Sequence, residues 1–429
     1  LRDPFDILAV DAIQEITKCS VETLISTPVA IDRALQRYER GDTGIEGLIA
    51  RLRTAELSEQ VLADPEKLRE VAGDDAVVQI LDYIIGEAMR IDASDIHLEP
   101  LKNAFRIRVR IDGALEVLQS LPGSLHRPVC SRVKVLANMD IGENRRPQDG
   151  RILFEADGRS IELRVSALPT VHGEKVVMRI LDQTKMNMDL DSLDLSPEVL
   201  RAFRSGFSAP NGLVLLTGPT GSGKTTTLYA ALIELNDVQA NLVTVEDPVE
   251  YDLPGATQIQ VDVKAERTFA KALRAILRQD PDICMIGEIR DAETAGIALQ
   301  AALTGHMVLS SLHTNDAPSA VIRLIDMGVE PYLLGPALRC VVAQRLLPRL
   351  CSDCSEPDSP HPDLLAAAGL RPDDPEDAKI IAGLRRGAGC ATCRRRGKRG
   401  RVAIHEVLSV DREIGRAIAR RVEESELVE

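Results

Sequence analysis

The stretch GPTGSGKTTT, residues 218–227, decides the fold of this chain. An apolar run, LVLLT (213–217), precedes it, and LYAALIEL (228–235) follows it with apolar residues at helical spacing. A buried strand, a glycine-rich turn and a helix are therefore predicted in that order. From residue 211 onward, further short apolar strands alternate with helices, which is the pattern of a parallel sheet with crossovers. The sequence thus predicts an α/β fold.

The glycines, lysine and hydroxyl residues of this stretch have the spacing of a P-loop, Gly218-x-x-x-x-Gly223-Lys224-Thr225. In such a loop, backbone N–H groups and the start of the following helix surround phosphate. We expect Lys224 to reach the β- and γ-phosphates of ATP and the Thr225 hydroxyl to bind Mg²⁺. The candidate nucleotide-binding residues are Gly218, Thr220, Gly221, Ser222, Gly223, Lys224, Thr225 and Thr226. The alternative is an ordinary glycine-rich turn between a strand and a helix.

Two further segments place carboxylates at the ends of predicted strands. In DPDICMIGEIRD (280–291) the position after the apolar strand, which is usually Asp in a P-loop protein, is Gly287, so Glu288 must serve. In VTVEDPVEY (243–251) a strand delivers Glu246 to a sheet edge. Because sites in open α/β sheets lie at the carboxyl ends of strands, both carboxylates can converge on the P-loop. The alternative for each is a solvated carboxylate at a strand end.

A third segment, TGHMVLSSLHTND (304–316), predicts a strand between His306 and His313. A histidine at the end of a strand can sense a γ-phosphate or orient water. A lone histidine is more often structural, so the spacing alone leaves both interpretations open for these two residues.

Composition limits the function classes. The chain has 429 residues, a net charge of −14 and 3% aromatic residues. The negative charge argues against generic nucleic-acid binding, and the few aromatics offer little for base stacking. No apolar run approaches the roughly 20 residues of a membrane span. Its length allows two to four domains of ordinary size.

The pattern of strands, helices and turn residues predicts several segments. The expected division is 1–40 as helical, 41–75 as a linker, 76–182 as an α+β domain, 183–195 as a hinge, 196–350 as the P-loop domain, 351–400 as a loop-rich subdomain with cysteines, and 401–429 as a helical segment. Ser196 and Pro197 are expected to cap and begin the first helix of the P-loop domain.

Two C-x-x-C pairs, Cys351–Cys354 and Cys390–Cys393, suggest a metal site. Each pair places two thiolates on a tight turn, and two pairs complete a tetrahedral Zn²⁺ site. The separation of the pairs exceeds that of a simple zinc ribbon, and a redox pair is the alternative. The other cysteines, which are Cys19, Cys130, Cys284 and Cys340, lie in apolar surroundings and are expected in cores.

Together these segments closely resemble the secretion ATPases of type II secretion and type IV pilus assembly, the GspE/PilB group. The motifs that carry the likeness are GPTGSGKTTTLYAAL, TVEDPVEY, LRQDPDICMIGEIRD and TGHMVLSSLHTND, in the family's order. The resemblance implies a homohexameric ring of subunits, each with an α+β, PAS-like N2 domain, a RecA-like motor domain and a small zinc-binding insertion. It also implies that residues 1–40 end a partner-docking domain whose earlier part precedes Leu1.

Roles follow from the resemblance residue by residue. Glu288 and Glu246 would be the catalytic carboxylates and His313 the histidine on the γ-phosphate side, with His306 a weaker candidate. Two N2 arginines, Arg151 and Arg164, resemble the family's phosphate-facing arginines, with a surface ion pair as the alternative. The alternating Arg106, Arg108 and Arg110 are expected to form a solvated face or an interface.

The expected function is a cytoplasmic, Mg-dependent ATPase motor of type II secretion that drives pseudopilus assembly. The alternatives are a type IV pilus extension ATPase and, from another class, a hexameric nucleic-acid motor or DNA-uptake ATPase. The implied partners are platform and docking proteins at the inner face of the cytoplasmic membrane. The basic run RRRGKRGR (394–401) could attract anionic lipid, or could be a solvated loop or form ion pairs between subunits.

Overall fold

The computed structural model describes residues 65–156, 159–181, 189–421 and Leu427. The interpretation of 1–40 as the end of a docking domain, most of the predicted linker and the first part of the predicted hinge lie outside these residues. The described chain forms two compact units, the first comprising most of the residues up to Ile180 and the second those from Leu181 onward. No described helix combines the length and apolar character that crossing a membrane requires.

The first unit is a six-stranded sheet with helices packed against it. Its elements are α1 (Pro65–Ala72), α2 (Asp75–Arg90), β1 (Asp95–Pro100), β2 (Ala104–Ile111), β3 (Ala114–Pro122), α3 (His126–Leu136), β4 (Gln148–Ala156), β5 (Arg159–Thr170) and β6 (Gly173–Leu181). The strand order is β3-β2-β1-β6-β5-β4, and β1 pairs antiparallel with both β2 and β6.

Alternation of apolar and polar residues explains these strands. Along β2 every second side chain is buried, beginning with Phe105, so one face of the strand belongs to the core. The segment AFRIRVRIDGAL (104–115) contains β2 and the start of β3, because Asp112 and Gly113 have φ values of 51° and 90° and make a two-residue hairpin turn. The strand β6 was not predicted.

The opposite face of this sheet is an ion-pair network. Glu99 on β1, with a side chain only 7% exposed, pairs with Arg106, Arg108 and Lys175. Burial raises the pKa of Glu99, but hydrogen bonds from those cations outweigh it and lower the pKa to about 2. Arg110 on β2 pairs with Asp95, which lies on β1 as Glu99 does. The alternating arginines are therefore half-buried partners of buried carboxylates, and their expected role at an interface stays a prediction.

The second unit is a mostly parallel sheet with helices on both sides. Its elements are α4 (Pro197–Phe207), β7 (Gly212–Thr217), α5 (Lys224–Leu235), β8 (Leu242–Glu246), β9 (Thr257–Gln260), α6 (Phe269–Ile276), β10 (Ile283–Ile286), α7 (Ala292–Leu303), β11 (Met307–Leu312), α8 (Ala317–Asp326), α9 (Pro331–Ala337), β12 (Leu338–Leu350), β13 (Ser355–Pro357), α10 (Pro362–Ala367), α11 (Pro375–Ala382), β14 (Arg385–Gly387), β15 (Lys398–Ser409) and α12 (Arg412–Ala419).

The strand order of the large sheet is β15-β12-β7-β11-β10-β8-β9. All neighbours pair in parallel except β12 and β15, which are antiparallel. The inner strands β7, β8, β10 and β11 are buried along their whole length, as expected of a sheet covered on both faces. Ser196 caps α4 and Pro197 begins it, as predicted. The carboxyl ends of the parallel strands share one edge of the sheet, where the site is built.

The segment predicted as helical over 401–429 is only partly so. Residues 401–409 belong to β15, which adds an antiparallel edge to the large sheet, and a helix begins only at Arg412. The β-branched and alternating residues of RVAIHEVLS favour a strand that pairs with a long neighbour. Between β12 and β15 lies the cysteine segment, with β13 and β14 paired as a short two-stranded sheet.

Candidate active site

The glycine-rich stretch forms a loop between β7 and α5. Gly218, Gly221 and Gly223 have φ values of 144°, 78° and 89°, which side chains rarely adopt. Gly223 caps α5 in a left-handed conformation, and no described side chain accepts a hydrogen bond from the N–H groups of its first turn. Those N–H groups and the positive end of the helix remain available to an anion.

Polar side chains of the loop suit phosphate. The Lys224 ammonium donates hydrogen bonds to the carbonyls of Gly218 at 2.7 Å and Pro219 at 3.1 Å, so it lies across the loop. The Ser222 hydroxyl is buried and has no hydrogen-bond partner among the described residues. Thr220, Gly221 and Thr225 are exposed and Thr226 half-buried. The loop therefore presents a cation, a spare hydroxyl and backbone donors to one ligand.

Glu288 follows β10 at the same edge of the sheet and is held between two basic side chains. Arg290 forms an ion pair with it, and His313 Nε2 lies 3.1 Å from its second carboxylate oxygen. Arg290 also lies 3.6 Å from Asp247, so one guanidinium links the two acidic segments of the sequence. The structure thus brings Glu288 and His313 together, and adds Arg290, which the sequence analysis missed although it stands two residues after Glu288.

The charges of this cluster affect one another. Burial raises the pKa of Glu288, but the hydrogen bond and charge of Arg290, with a smaller effect from His313, leave it below its ordinary value. Burial lowers the pKa of Lys224, and the negative charge of Glu288 opposes that shift. Glu288 is therefore a carboxylate ready to accept a proton or bind a cation, within electrostatic reach of the P-loop lysine.

Glu246 has a different environment. It is 3% exposed, and its carboxylate accepts hydrogen bonds from Tyr229 at 2.5 Å, Thr244 at 2.6 Å and Gln258 at 3.1 Å. Burial and the Glu246 carboxylate together raise the pKa of Tyr229, so its phenol stays protonated and donating. These donors occupy both oxygens of Glu246, which ties the end of β8 to the P-loop helix α5.

The two histidines lie at opposite ends of β11. His313 follows the strand at the candidate site, whereas His306 precedes it and its Nδ1 lies 3.0 Å from the Ala301 carbonyl, closing the end of α7. The two residues are seven positions apart along extended chain, which is roughly 23 Å at about 3.3 Å per residue. The position of His306 is therefore structural. Ser310 and Ser311 donate to the carbonyls of Ile286 and Gly287, which fixes β11 against the end of β10.

The two arginines expected to face phosphate, Arg151 and Arg164, lie on neighbouring strands of the first unit. Arg151 on β4 and Arg164 on β5 both approach Glu162, at 3.6 Å and 3.7 Å. One carboxylate therefore faces two guanidinium groups. Arg151 is more than half exposed, while Arg164 is half-buried. Their roles toward a nucleotide stay predictions.

The four cysteines of the C-x-x-C pairs converge after β12. Their sulfur atoms all lie within 4.8 Å of one another, with Cys351–Cys390 at 3.8 Å and Cys354–Cys393 at 3.7 Å. Sulfurs placed tetrahedrally about 2.3 Å from a Zn²⁺ ion would be about 3.8 Å apart, so the set fits zinc.

One of the four thiols, Cys393, has a lowered pKa, whereas burial raises the pKa of Cys354. The backbone N–H of Cys390 donates to the Cys393 sulfur, joined by that of Gly397, and these donors lower the pKa of Cys393 against the opposing effect of burial. A thiolate is the form that binds metal. Cys130, Cys284 and Cys340 are buried, as predicted, and burial raises their thiol pKa values. Cys19 lies outside the described residues.

Comparisons with known proteins agree with this arrangement. Residues 70–429 match the family described as Type II/IV secretion system protein. The chain is 44% identical over 411 residues to the type IV pilus assembly ATPase PilB of Myxococcus xanthus, covering 95% of this chain and 72% of that protein. It is 42% identical over 419 residues to the type II secretion system ATPase E of Vibrio cholerae, covering 93% and 82%.

A solved structure supports the fold. The pilus retraction motor PilT with bound ADP aligns at a TM-score of 0.55 and 28% identity, over 80% of this chain and 86% of that one. The family match covers most of the chain, and both relatives are similar over more than two thirds of their own length. The chain therefore belongs to the Type II/IV secretion system protein family and has the RecA-like α/β fold of its ATPases.

Proposed function

We propose that this chain is the ATP-hydrolysing motor of a type II secretion system, driving pseudopilus assembly and protein export. The observation that carries the proposal is the juxtaposition of the P-loop with Glu288, held between Arg290 and His313. Hydrolysis of ATP needs a site that binds the phosphates and, beside it, a residue that orients the attacking water. The names of the related proteins, which are ATPases of secretion and pilus assembly, support the same function.

In this proposal the P-loop residues hold the phosphates of ATP. Backbone N–H groups of Gly221 to Thr225 would surround the β-phosphate, and Lys224 would exchange its hydrogen bonds to the loop carbonyls for bonds to phosphate oxygens. The Thr225 hydroxyl and the Glu288 carboxylate, directly or through water, are oxygen ligands of the kind Mg²⁺ takes. The ion would neutralise charge on the transferring phosphate.

We assign activation of the attacking water to Glu288. Its pKa is held below the ordinary value, so it is deprotonated at neutral pH, and it is partly exposed beside His313. Glu246 is assigned a positioning role instead, because it is buried with three donors on its oxygens, whereas Glu288 is partly exposed. His313 would orient the water or sense the γ-phosphate through its contact with Glu288.

Arg151 and Arg164 are proposed to supply positive charge to the γ-phosphate. Both guanidiniums lie close to the carboxylate of Glu162, which places two positive groups side by side on neighbouring strands. We further propose that the chain works as a homohexamer at the cytoplasmic face of the inner membrane, together with platform and docking proteins of the machine. A Zn²⁺ ion at the four cysteines would brace the segment between β12 and β15.

An allelic replacement in the source cell tests the biological role. The gene is replaced by a Glu288→Gln allele, and a matched Arg274→Gln allele, which removes only an exposed ion pair with Glu293, is the control. The proposal predicts that the first strain exports no type II substrates and that the control exports them normally. Loss of surface pili with normal export would instead establish the alternative, a type IV pilus assembly ATPase, which the PilB relative favours.

A further inference from the structure

We propose that Gln344 is a positioning residue that shapes the P-loop for phosphate. This inference rests on the proposed nucleotide site and adds to it a residue outside the P-loop and outside the segments 243–251, 280–291 and 304–316. Gln344 lies on β12, next to β7 in the sheet, and is 4% exposed. The residue before it, Ala343, is in register with Thr217, the last residue of β7 before the loop.

The amide nitrogen and oxygen of Gln344 both form hydrogen bonds, one with the loop and one with α5. Its Nε2 donates a 2.8 Å hydrogen bond to the carbonyl of Ser222, and its Oε1 accepts one, also 2.8 Å, from the Thr227 hydroxyl. The amide therefore spans from the end of the loop to the first turn of α5. These bonds are buried, where a lost partner costs more than at a surface.

The glycines that begin and end the loop both lie close to residue 344 of β12. A Cβ atom on Gly218 would lie 2.4 Å from the Gln344 carbonyl oxygen, and one on Gly223 would lie 2.7 Å from Nε2. The contact at Gly218 is with the β12 backbone and would exist with any residue at position 344, whereas the contact at Gly223 is with the Gln344 side-chain amide itself. Both ends of the loop therefore pack closely against β12.

The hydrogen bond to Ser222 also sets the direction of a backbone donor. In a planar trans peptide the C=O and the following N–H point in opposite directions. Because Gln344 holds the Ser222 carbonyl toward β12, the N–H of Gly223 is turned to the other side of the loop. That is the side on which an anion can reach the uncapped first turn of α5.

The next residue of β12, Arg345, makes a second contact with the candidate site. Arg345 donates to the Asn315 carbonyl at 3.2 Å and to its side-chain oxygen at 3.1 Å. Asn315 lies two residues after His313. Consecutive side chains of one strand therefore fix the P-loop and the segment that carries the histidine.

The test measures nucleotide affinity apart from stability. The variants are Gln344→Met, which keeps the shape but removes both hydrogen bonds, and Thr227→Val, which removes one. Asn211→Leu is the control. It removes a partly buried hydrogen bond from the Asn211 side-chain amide to the Ala302 carbonyl, at the amino edge of the same sheet. The Kd for a fluorescent ADP analogue with Mg²⁺, the thermal midpoint, and kcat and KM for ATP are measured on the full chain.

We expect Gln344→Met to raise Kd and KM about tenfold and Thr227→Val about threefold, since each such bond contributes a small factor to binding. Because the P-loop binds ground and transition states alike, kcat should change by less than about threefold. The control should lower the thermal midpoint without changing Kd. If Gln344→Met fails to fold, the Kd of Thr227→Val alone tests the positioning role of Gln344.

Two outcomes separate this inference from the proposed function. If the wild type binds and hydrolyses nucleotide but Gln344→Met and Thr227→Val bind it as tightly as the wild type, the positioning role is wrong and the proposed function stands. A lowered thermal midpoint with unchanged Kd would likewise reduce Gln344 to a structural residue. If the wild type binds no nucleotide, both proposals fail.

Discussion

Glu288 works, in this account, through the charge that Arg290 places beside it. Removing that charge with Arg290→Gln should raise the pKa of Glu288, because the hydrogen bond and charge that oppose burial are lost. A base is active when deprotonated, so the acid limb of the kcat/KM profile should move to higher pH. Because the pKa of Glu288 lies below the ordinary glutamate value, hydrolysis is measured from about pH 3.5 to pH 8, with activities converging at the alkaline end.

The control for that profile is Arg274→Gln, at an exposed ion pair of the same unit. Its acid limb should coincide with that of the wild type. Coincidence of the Arg290→Gln limb with the wild type would instead mean that Glu288 is not the titrating base.

Glu246 depends on its three donors, and Tyr229 makes the shortest of the three hydrogen bonds. Tyr229→Phe leaves a buried carboxylate with one donor fewer, so we expect the free energy of unfolding to fall by about 1–3 kcal/mol. Urea unfolding followed by far-ultraviolet circular dichroism measures the change. Tyr332→Phe, at a side chain 63% exposed, should leave stability unchanged. Equal stability of all three proteins would show that the network around Glu246 does not hold it.

At the scale of elements, the four-cysteine segment is expected to hold a single zinc ion per chain. The Cys351→Ser/Cys393→Ser protein should lose the metal and become sensitive to proteolysis between residues 351 and 397. Elemental analysis and limited proteolysis measure both effects. The buried Cys130→Ala variant, whose sulfur lies outside the cluster, should keep its zinc. Unchanged metal content in the double variant would remove these cysteines from the site.

Elements with a strong local pattern could be predicted from the sequence. The buried strands β7, β8, β10 and β11 follow directly from continuous apolar runs, and the P-loop and its helix from glycine and lysine spacing. The carboxylates could be placed at strand ends because parallel strands share an edge. The structure brings Glu288 and His313 together at that edge.

Features made by distant parts of the chain could not be predicted. β15 was expected to be helical because its pairing partner, β12, lies far away in sequence. Arg290 and Tyr229 lie inside quoted motifs and Gln344 outside them, but for all three only the fold shows what the side chain contacts. The solvated alternative for Glu246 fails for the same reason, since its donors come from α5, β8 and β9.

At the scale of the whole molecule, the proposed ring makes activity depend on assembly. The specific ATPase activity should rise with protein concentration from well below to well above micromolar, because ring contacts would complete or activate each site. Hydrolysis per subunit and light scattering, measured on the same samples, should rise together. A flat and appreciable rate over the whole range would mean that each subunit is competent alone, and the proposed roles of Arg151 and Arg164 would need revision.

The central claim, that this chain hydrolyses ATP at the P-loop with Glu288 as the base, is tested most directly by one comparison. Steady-state phosphate release is measured for the wild type and for Glu288→Gln, with binding of the fluorescent ADP analogue recorded on both. We predict hydrolysis by the wild type, a loss of about 100-fold or more in kcat for the variant, and similar nucleotide binding by both. Equal hydrolysis by the two proteins, or none by the wild type at any concentration, would contradict the account.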